Sequence, residues 1–315
     1  MARFLARRLG LIALTLWLMS IAVFVITEVL PGNVAQTILG HSATPEAVAA
    51  LQHQLGLDAP PPVLYVRWIT GFVSGNWGDS PSLQTPISSL IPGRLFNSLV
   101  LAVAALIVIM PLSIAFGVLA ALRQDRFVDR IISITGLSLM AVPEFVSGII
   151  LLSIFGIWLH WLPTSSVAAG GDPLTSPQYL VLPVLALGIV FFGYVARMMR
   201  ASTIAVLGSA YTRTAMLKGL PLRLVLRRHV LRNALVPTIT VVMSSIGYLV
   251  GGLVVVENLF SYPGIGGLLL TAGLSHDVPL LEDCVMIIAV IYMASNLAAD
   301  LLYAYLNPQI RYSQA

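Results

Sequence analysis

Residues 210–237 read AYTRTAMLKGLPLRLVLRRHVLRNALVP and lie between long apolar stretches. This segment contains no acidic residue and six basic ones: Arg213, Lys218, Arg223, Arg227, Arg228 and Arg232. Gly219 supplies the backbone freedom that ends a helix, and Pro221 suits the first turn of the next. The pattern therefore predicts a short helix, a break and a second helix. Its basic charge has two explanations: the bias of Arg and Lys toward one side of a membrane, or docking of a cytoplasmic partner.

The composition is that of a polytopic membrane protein. Of the 315 residues, 58% are hydrophobic and 10% are charged, whereas soluble domains contain roughly 25% charged residues. The net charge of +4 comes from basic residues between apolar stretches, so we predict no nucleic-acid partner. The single cysteine, Cys284, excludes an intrachain disulfide. No histidine has the spacing of a metal ligand, and we predict no metal site.

Six stretches meet or approach the roughly 20 apolar residues that a helix needs to span a bilayer. They are residues 9–30, 97–122, 131–159, 179–196, 235–256 and 284–306. The first is longer than the apolar part of a signal peptide, and no clear cleavage site follows it, so we interpret it as a retained helix. The predicted fold class is an all-α membrane protein with six transmembrane helices in one domain, residues 1–315.

The distribution of basic residues predicts the orientation. With six spans, both termini lie on the same side of the membrane. Only Arg67 and Arg94 of the 17 lysine and arginine residues then fall on the opposite side. Because Lys and Arg favour the cytoplasmic side, the N- and C-termini are predicted to be cytoplasmic, together with the loop 197–234.

Two segments on the other side are predicted to fold. In residues 31–96, Thr44 and Pro45 resemble a helix start, Gly56 would end that helix, and a second helix fits residues 63–73. In residues 257–283, a turn at 262–267 precedes a short apolar run, which predicts a re-entrant helix that returns toward the membrane.

Motifs of catalysis are lacking. Lys218 is the only lysine, and it is followed by Gly219 and Leu220, whereas a phosphate-binding P-loop needs Gly-Lys followed by Ser or Thr. No serine-hydrolase or zinc-protease motif occurs, and no two intramembrane carboxylates share one depth. We therefore predict that the chain is not an enzyme and cannot itself be an ATPase.

The basic segment resembles a known element. The pattern Tyr211-x-x-Thr214-Ala215-x-x-x-Gly219, followed by Arg228-His229-x-Leu231-Arg232-Asn233-Ala234-x-x-Pro237, is similar to the cytoplasmic coupling loop of bacterial ABC importer permeases. The resemblance is strongest to the peptide/nickel (dipeptide and oligopeptide) branch, and within it to the first, B-type, permease. Arg213 stands where the broader importer pattern has Glu.

Three further segments carry the same resemblance in the same order. They are Leu55-Gly56-Leu57-Asp58 with Gly75-Asn76-Trp77-Gly78, then Glu257-Asn258-x-Phe260-x-Tyr262-Pro263-Gly264, and finally Asn296-Leu297-x-x-Asp300 with Asn307-Pro308. Asn307 stands where the family usually has Asp. The resemblance therefore covers nearly the whole chain.

The resemblance implies a subunit of an ATP-driven importer in the bacterial inner membrane. Its implied partners are a homologous second permease, with which it forms a heterodimer, two ABC ATPases that bind ATP and Mg²⁺, and an extracytoplasmic substrate-binding protein. The chain itself would bind no cofactor. The residues implied to couple it to the ATPases are Tyr211, Arg213, Thr214, Ala215, Lys218, Gly219, Arg223, Arg228 and His229.

Other candidate residues lie outside the loop. Glu144, after Pro143, is predicted near mid-membrane, where an ionisable group is a candidate for contact with substrate. Its alternatives are a structural pair with the partner permease or a protonated carboxyl group. The candidates for the outer gate or for contact with the binding protein are Glu257, Phe260, Tyr262, Pro263 and Gly264. For Glu257 the alternative is a structural hydrogen bond to the following turn.

Three functions remain open at this point. The first is import of peptides, and the second is the same architecture importing nickel, opines or another small solute. The third is a secondary transporter or channel that works without ATPases. That class often contains internal inverted repeats, and we find none in this sequence.

Overall fold

The computed structural model describes residues 2–29, 39, 44–55, 58–166, 175–244 and 246–306, and these are mostly helical. The longer helices are α1 (Ala2–Val29), α4 (Ile87–Leu122), α5 (Phe127–Ala141), α7 (Val181–Leu207), α10 (Leu231–Ser244), α11 (Ile246–Leu259) and α13 (Val278–Leu306). The shorter ones are α2 (Pro45–Leu55), α3 (Pro61–Ser74), α6 (Glu144–Leu151), α8 (Ala210–Leu217), α9 (Leu222–Val225) and α12 (Ile265–Leu274). π-helical segments, Leu152–Trp158 and Leu226–Val230, extend α6 and α9, and Pro177–Leu180 is a 3₁₀ turn. A two-stranded antiparallel hairpin joins β1 (Asp79–Ser80) to β2 (Thr85–Pro86).

Within the described residues, four helices are long and apolar enough to cross a membrane. They are Leu5–Thr27, Ile87–Leu122, Pro177–Leu207 and Val278–Leu301. A fifth span results if α5 and the helical segment that follows it count as one. The predicted span 235–256 falls on α10 and α11, between which residue 245 is not described.

The predicted span 131–159 is bent at Pro143, a residue type that predicts a kink inside a helix. Helix α5 ends at Ala141, α6 begins at Glu144, and the two meet at 107°. Pro143 has no backbone N–H to continue the helix, and the residue before it is driven to an extended conformation. Val142 accordingly has φ −89° and ψ 124°.

Two other boundaries differ from prediction. Helix α4 begins at Ile87 rather than at residue 97, although Pro92 and Gly93 suggest a loop. Ile87 and Ile91 are fully buried, so tertiary burial outweighs the weak local propensity. Helix α7 continues to Leu207, and residues 197–207 of the loop predicted over 197–234 are therefore helical.

The helices predicted between residues 31 and 96 are confirmed where they are described. The backbone N–H of Ala47 donates to Thr44 Oγ1 at 3.3 Å, so Thr44 caps α2 as predicted. Gly56 lies outside the described residues, and α3 contains the predicted 63–73. The exposed ion pair between His53 Nδ1 and Asp58 Oδ2, 2.7 Å apart, raises the pKa of His53 and lowers that of Asp58.

The chain divides into two compact units. Unit 1 comprises Met1–Ser98 and Pro263–Ala294. Its buried core is formed by Ile87, Ile91, Ile265, Leu268, Ala272, Leu280, Cys284 and Ile287. The predicted turn and short helix after residue 262 correspond to α12, which contributes to this core.

Buried acidic residues at the start of α13 accept hydrogen bonds from other segments of unit 1. Asp277 Oδ2 accepts hydrogen bonds from Ser80 Oγ at 2.5 Å and Ser82 Oγ at 2.6 Å, which fixes the hairpin. Trp68 Nε1 of α3 donates to Asp283 Oδ1 at 3.0 Å. Because each buried carboxylate accepts from a different segment, the hairpin and α3 are both fastened to α13.

Unit 2 comprises Leu99–Tyr262 and Ser295–Ala315. Its core joins residues of α4, α7, α10 and α11, and Leu101, Ile109, Leu182, Phe191, Val242 and Phe260 are among its buried members. Thr238 Oγ1 of α10 donates to Met199 Sδ of α7 at 3.4 Å. Helices α7 and α10 therefore pack side by side, and the segment 208–230 that connects them projects from their ends.

Candidate coupling site

The turn into α8 is formed by a local hydrogen-bond network. Ser209, in an extended conformation, precedes the helix. Its hydroxyl donates to Val206 O at 2.6 Å and lies 2.9 Å from Thr212 Oγ1. These bonds link the last turn of α7 to the first turn of α8, so the direction in which α8 leaves α7 is fixed by short-range contacts.

The predicted break at Gly219 is confirmed. Gly219 has φ +76°, a left-handed conformation that suits glycine after a helix end. The backbone N–H of Leu220 donates to Ala215 O at 3.4 Å. Pro221 then stands immediately before α9, with φ −65° and ψ 142°, one position earlier than the first-turn position predicted for it.

A small core holds the two helices of the segment together. Ala215, Val225 and Val230 are buried, and partly buried residues pack against them: Val206, Leu207, Leu220 and Leu226. Asn233 Nδ2 of α10 also donates to Tyr211 Oη of α8 at 3.0 Å. Helices α8, α9 and α10 are therefore joined through both apolar and polar contacts.

The outer face of α8 is apolar and basic. Thr212 and Ala215 face inward and are buried, whereas Leu217 is 87% exposed and Met216 and Tyr211 are also exposed. Leu222, at the start of α9, is exposed as well. A patch of exposed apolar side chains with a polar rim is typical of a contact surface for another protein.

Cations surround this apolar face. Arg213, Lys218, Arg223 and Arg228 are exposed, and His229 is half-buried. In the part of the chain that the structure describes, none of these five side chains has a hydrogen-bond or ion-pair partner. The surface can therefore bind a groove with an apolar floor and an acidic rim, and it contains no arrangement of nucleophile and base.

The structure brings together most of the residues predicted for coupling. Ala215 is buried inside the segment and Gly219 forms its turn, while Arg213, Thr214, Lys218, Arg223 and Arg228 are exposed on its surface. Sequence reasoning missed Met216, Leu217 and Leu222. The signal was available, because Leu217 lies about 200° around the helix from Ala215 at 100° per residue, and so opposite the buried face.

Glu144 is the first residue of α6, immediately after the bend at Pro143. Its side chain is half-buried and approaches α11, where a Cβ added at Gly252 would lie 3.0 Å from Glu144 Oε1. Among the described residues, its carboxylate has no hydrogen-bond or ion-pair partner. The arrangement leaves one carboxylate available to a cationic group, in a helix pair apolar enough to span a membrane.

Most of the outer candidates are buried, and Pro263 is half-buried. In unit 2, Glu257, Phe260 and Tyr262 are buried, with exposures of 0%, 1% and 3%, and Tyr262 N donates to Glu257 O at 2.7 Å. In unit 1, Pro263 O accepts from Asn97 Nδ2 at 2.8 Å, and Gly264 precedes α12. This burial favours a structural role for these residues over direct contact with a binding protein.

Comparisons with known proteins cover almost the whole chain. Residues 113–312 match the family described as binding-protein-dependent transport system inner membrane component, and residues 1–90 match the N-terminal region of such membrane components. A probable peptide ABC transporter permease protein of Sinorhizobium fredii is 35% identical over 315 residues, which cover 99% of this chain and 100% of the relative.

Glutathione transport system permease proteins are also similar. The protein named GsiC from Salmonella paratyphi A is 37% identical over 311 residues, which cover 98% of each chain. Its namesake from Escherichia coli is 35% identical over 306 residues, which cover 97% of each chain. These matches confirm the resemblance carried by residues 211–237 and by the three further segments. The chain belongs to the family of binding-protein-dependent transport system inner membrane components.

Proposed function

We propose that this chain is a permease subunit of an ABC importer that moves peptides or peptide-like molecules such as glutathione into the cytoplasm. The family to which the chain belongs supports the transport role. The substrate class is supported by relatives that are named for peptide and glutathione transport. The structural observation that carries it is the outer face of α8, where Leu217 is 87% exposed among cations that have no partner in the described part of the chain.

In the proposed arrangement, the chain pairs with a homologous second permease. Six spans would place both termini and the segment 208–230 in the cytoplasm, where two ATPases that bind ATP and Mg²⁺ would lie beneath the permeases. A binding protein would deliver substrate from the other side. The chain supplies the pathway and the contact with one ATPase but no hydrolytic chemistry.

The geometry of the segment suits transmission of force. Helix α8 is held to α7 through Ser209 and to α10 through Tyr211 and Asn233. A displacement of α8 by a closing ATPase would therefore move α7 and α10 as well, because these hydrogen bonds and the small core around Ala215, Val225 and Val230 join the helices. Since α7 and α10 belong to the core of unit 2, the movement would reach the membrane-spanning part.

The test is reconstitution of the complete transporter in proteoliposomes with its second permease, ATPases and binding protein. We expect uptake of glutathione or of di- to oligopeptides that requires ATP, and ATPase activity that the loaded binding protein stimulates. Transport by this chain without ATPases would contradict the importer role. If only Ni²⁺ or opine-like solutes stimulate the ATPase activity, the proposed peptide substrate is wrong but the importer role stands.

Glu144 is proposed to contact the substrate's amino group in the pathway. We expect Glu144→Gln to raise the KM for a substrate with a free amino group about tenfold, because a charge-assisted hydrogen bond contributes roughly 1.5–3 kcal/mol. The KM for the N-acetylated form of the same substrate should not change. Uptake kinetics of both forms provide the measurement.

Glu46→Gln on α2, which removes an exposed carboxylate, is the matched control and should leave both KM values unchanged. If Glu144→Gln leaves uptake of the free amine unaltered, the carboxylate has no role in substrate contact. An equal effect on the free and the acetylated substrate would instead indicate a structural role at the bend.

A further inference from the structure

A cavity of about 250 Å³ lies in unit 2 where α4, α5 and α7 meet. Its walls are mostly apolar or small and include Ala120, Ile132, Gly136, Leu137 and Ala196. The volume is somewhat below the roughly 300–1,000 Å³ of sites that enclose whole small ligands. It suits part of an alkyl chain better than a complete polar substrate.

Two arginines of α7, Arg197 and Arg200, line the same cavity. Arg200 is committed to an ion pair, because its Nε lies 2.5 Å from Asp129 Oδ1 and its Nη2 lies 2.7 Å from Asp129 Oδ2. The Asp129 side chain is only 4% exposed, so the pair neutralises a buried carboxylate. Arg197, by contrast, is exposed and has no hydrogen-bond or ion-pair partner among the described residues.

Several basic residues lie near the cavity, as is common at the ends of membrane-spanning helices. Ala120 lies in the last turn of α4, and Arg123 and Arg126 follow in the connection to α5. Arg130 precedes the cavity residues Ser133 and Leu137 by three and seven positions, the spacing that places residues on one face of a helix. Basic side chains beside an apolar cleft between membrane helices fit a lipid head group with its acyl chain.

The outward side of α5 is also apolar. Phe127, Ile131 and Ile134 are exposed large hydrophobic residues at helical spacing, and the cavity residue Leu137 is exposed as well. These residues lie in the bent helix pair that is long and apolar enough to span a membrane. An acyl chain in the cavity would therefore be continuous with the hydrocarbon that this face contacts.

We propose that this cavity binds an anionic phospholipid, with the phosphate on Arg197 and part of an acyl chain among Ile132, Gly136 and Leu137. The Asp129–Arg200 pair holds α5 against α7 and so maintains the floor of the site. The proposal extends beyond the transported substrate and does not depend on its identity.

The test is lipid retention by the full-length chain, purified in detergent with its partner subunits and analysed by native mass spectrometry. Phosphatidylglycerol and phosphatidylethanolamine are supplied at equal concentration. We expect retention of phosphatidylglycerol over phosphatidylethanolamine by about fivefold, because one basic residue gains about 1 kcal/mol beside an anionic head group and phosphatidylethanolamine is zwitterionic. Arg197→Gln should bring the two lipids to parity, and Arg197→Lys should preserve the preference.

Arg232→Gln is the matched control, because Arg232 is also exposed and has no partner among the described residues but lies on α10, outside the cavity. It should leave the preference unchanged. A second variant, Leu137→Gln, alters the apolar wall of the cavity at a half-exposed position and should lower retention of both lipids. This variant tests the proposal independently if Arg197→Gln does not fold. The proposal is overturned if Arg197→Gln retains the full preference, if the assembled complex retains no phosphatidylglycerol, or if glycerol phosphate displaces the lipid.

Discussion

Replacing Leu217 by Asp is expected to reduce ATP-driven uptake by at least about 100-fold. Leu217 is 87% exposed at the end of α8, and in the proposed complex it would enter an apolar groove of an ATPase. Loss of a buried leucine contributes about 2 kcal/mol, and burial of an unpaired carboxylate adds a further penalty. Uptake into proteoliposomes, ATPase stimulation and co-purification of the ATPases are the three measurements.

The pattern of effects distinguishes docking from folding. Leu217→Met preserves an apolar side chain of similar volume and should retain most of the uptake. Leu217→Asp should leave the melting temperature of the chain and the binding protein's affinity for its ligand unchanged, because the side chain is almost fully exposed. Wild-type uptake by Leu217→Asp, with ATPases still bound, would mean that the outer face of α8 is not the docking surface.

Local signals in the sequence predicted the coupling segment well. The break at Gly219 needs a left-handed backbone conformation, which favours glycine, and the start of α9 is favoured by Pro221. Single residue types therefore predict both features. The same holds for Thr44 at the start of α2. The position of Leu217 opposite Ala215 indicates exposure only once Ala215 is known to be buried, and these local signals do not show that burial.

Features that depend on long-range packing were predicted less well. Pro143 indicated a kink, but the angle of 107° depends on what α5 and α6 pack against. Ile87 and Ile91 extend α4 by ten residues because α12 and α13, far along the chain, bury them. Glu257, a candidate for contact with the binding protein, is fully buried, because packing in the folded chain determines which end of a helix is covered.

The contact between α5 and α7 depends on two glycines that face each other in unit 2. A Cβ added at Gly193 would lie 2.3 Å from Gly136 O and 2.6 Å from Met140 Cγ. A backbone oxygen cannot move away as the end of a flexible side chain can, so even one methyl group must separate the helices. The cavity beside these glycines and the Asp129–Arg200 pair both depend on the same close approach.

Gly193→Ala is therefore expected to destabilise the protein by about 1–3 kcal/mol, the usual cost of overpacking, although alanine is the better helix former. The measurement is the melting temperature and the folded yield of the detergent-solubilised chain. Gly10→Ala is the matched control, because Gly10 lies inside α1 and a Cβ there meets no atom within 4 Å. That variant should be neutral or slightly stabilising. If both variants melt alike, the α5–α7 crossing tolerates a wider separation, and close approach at Gly193 is not required for the fold.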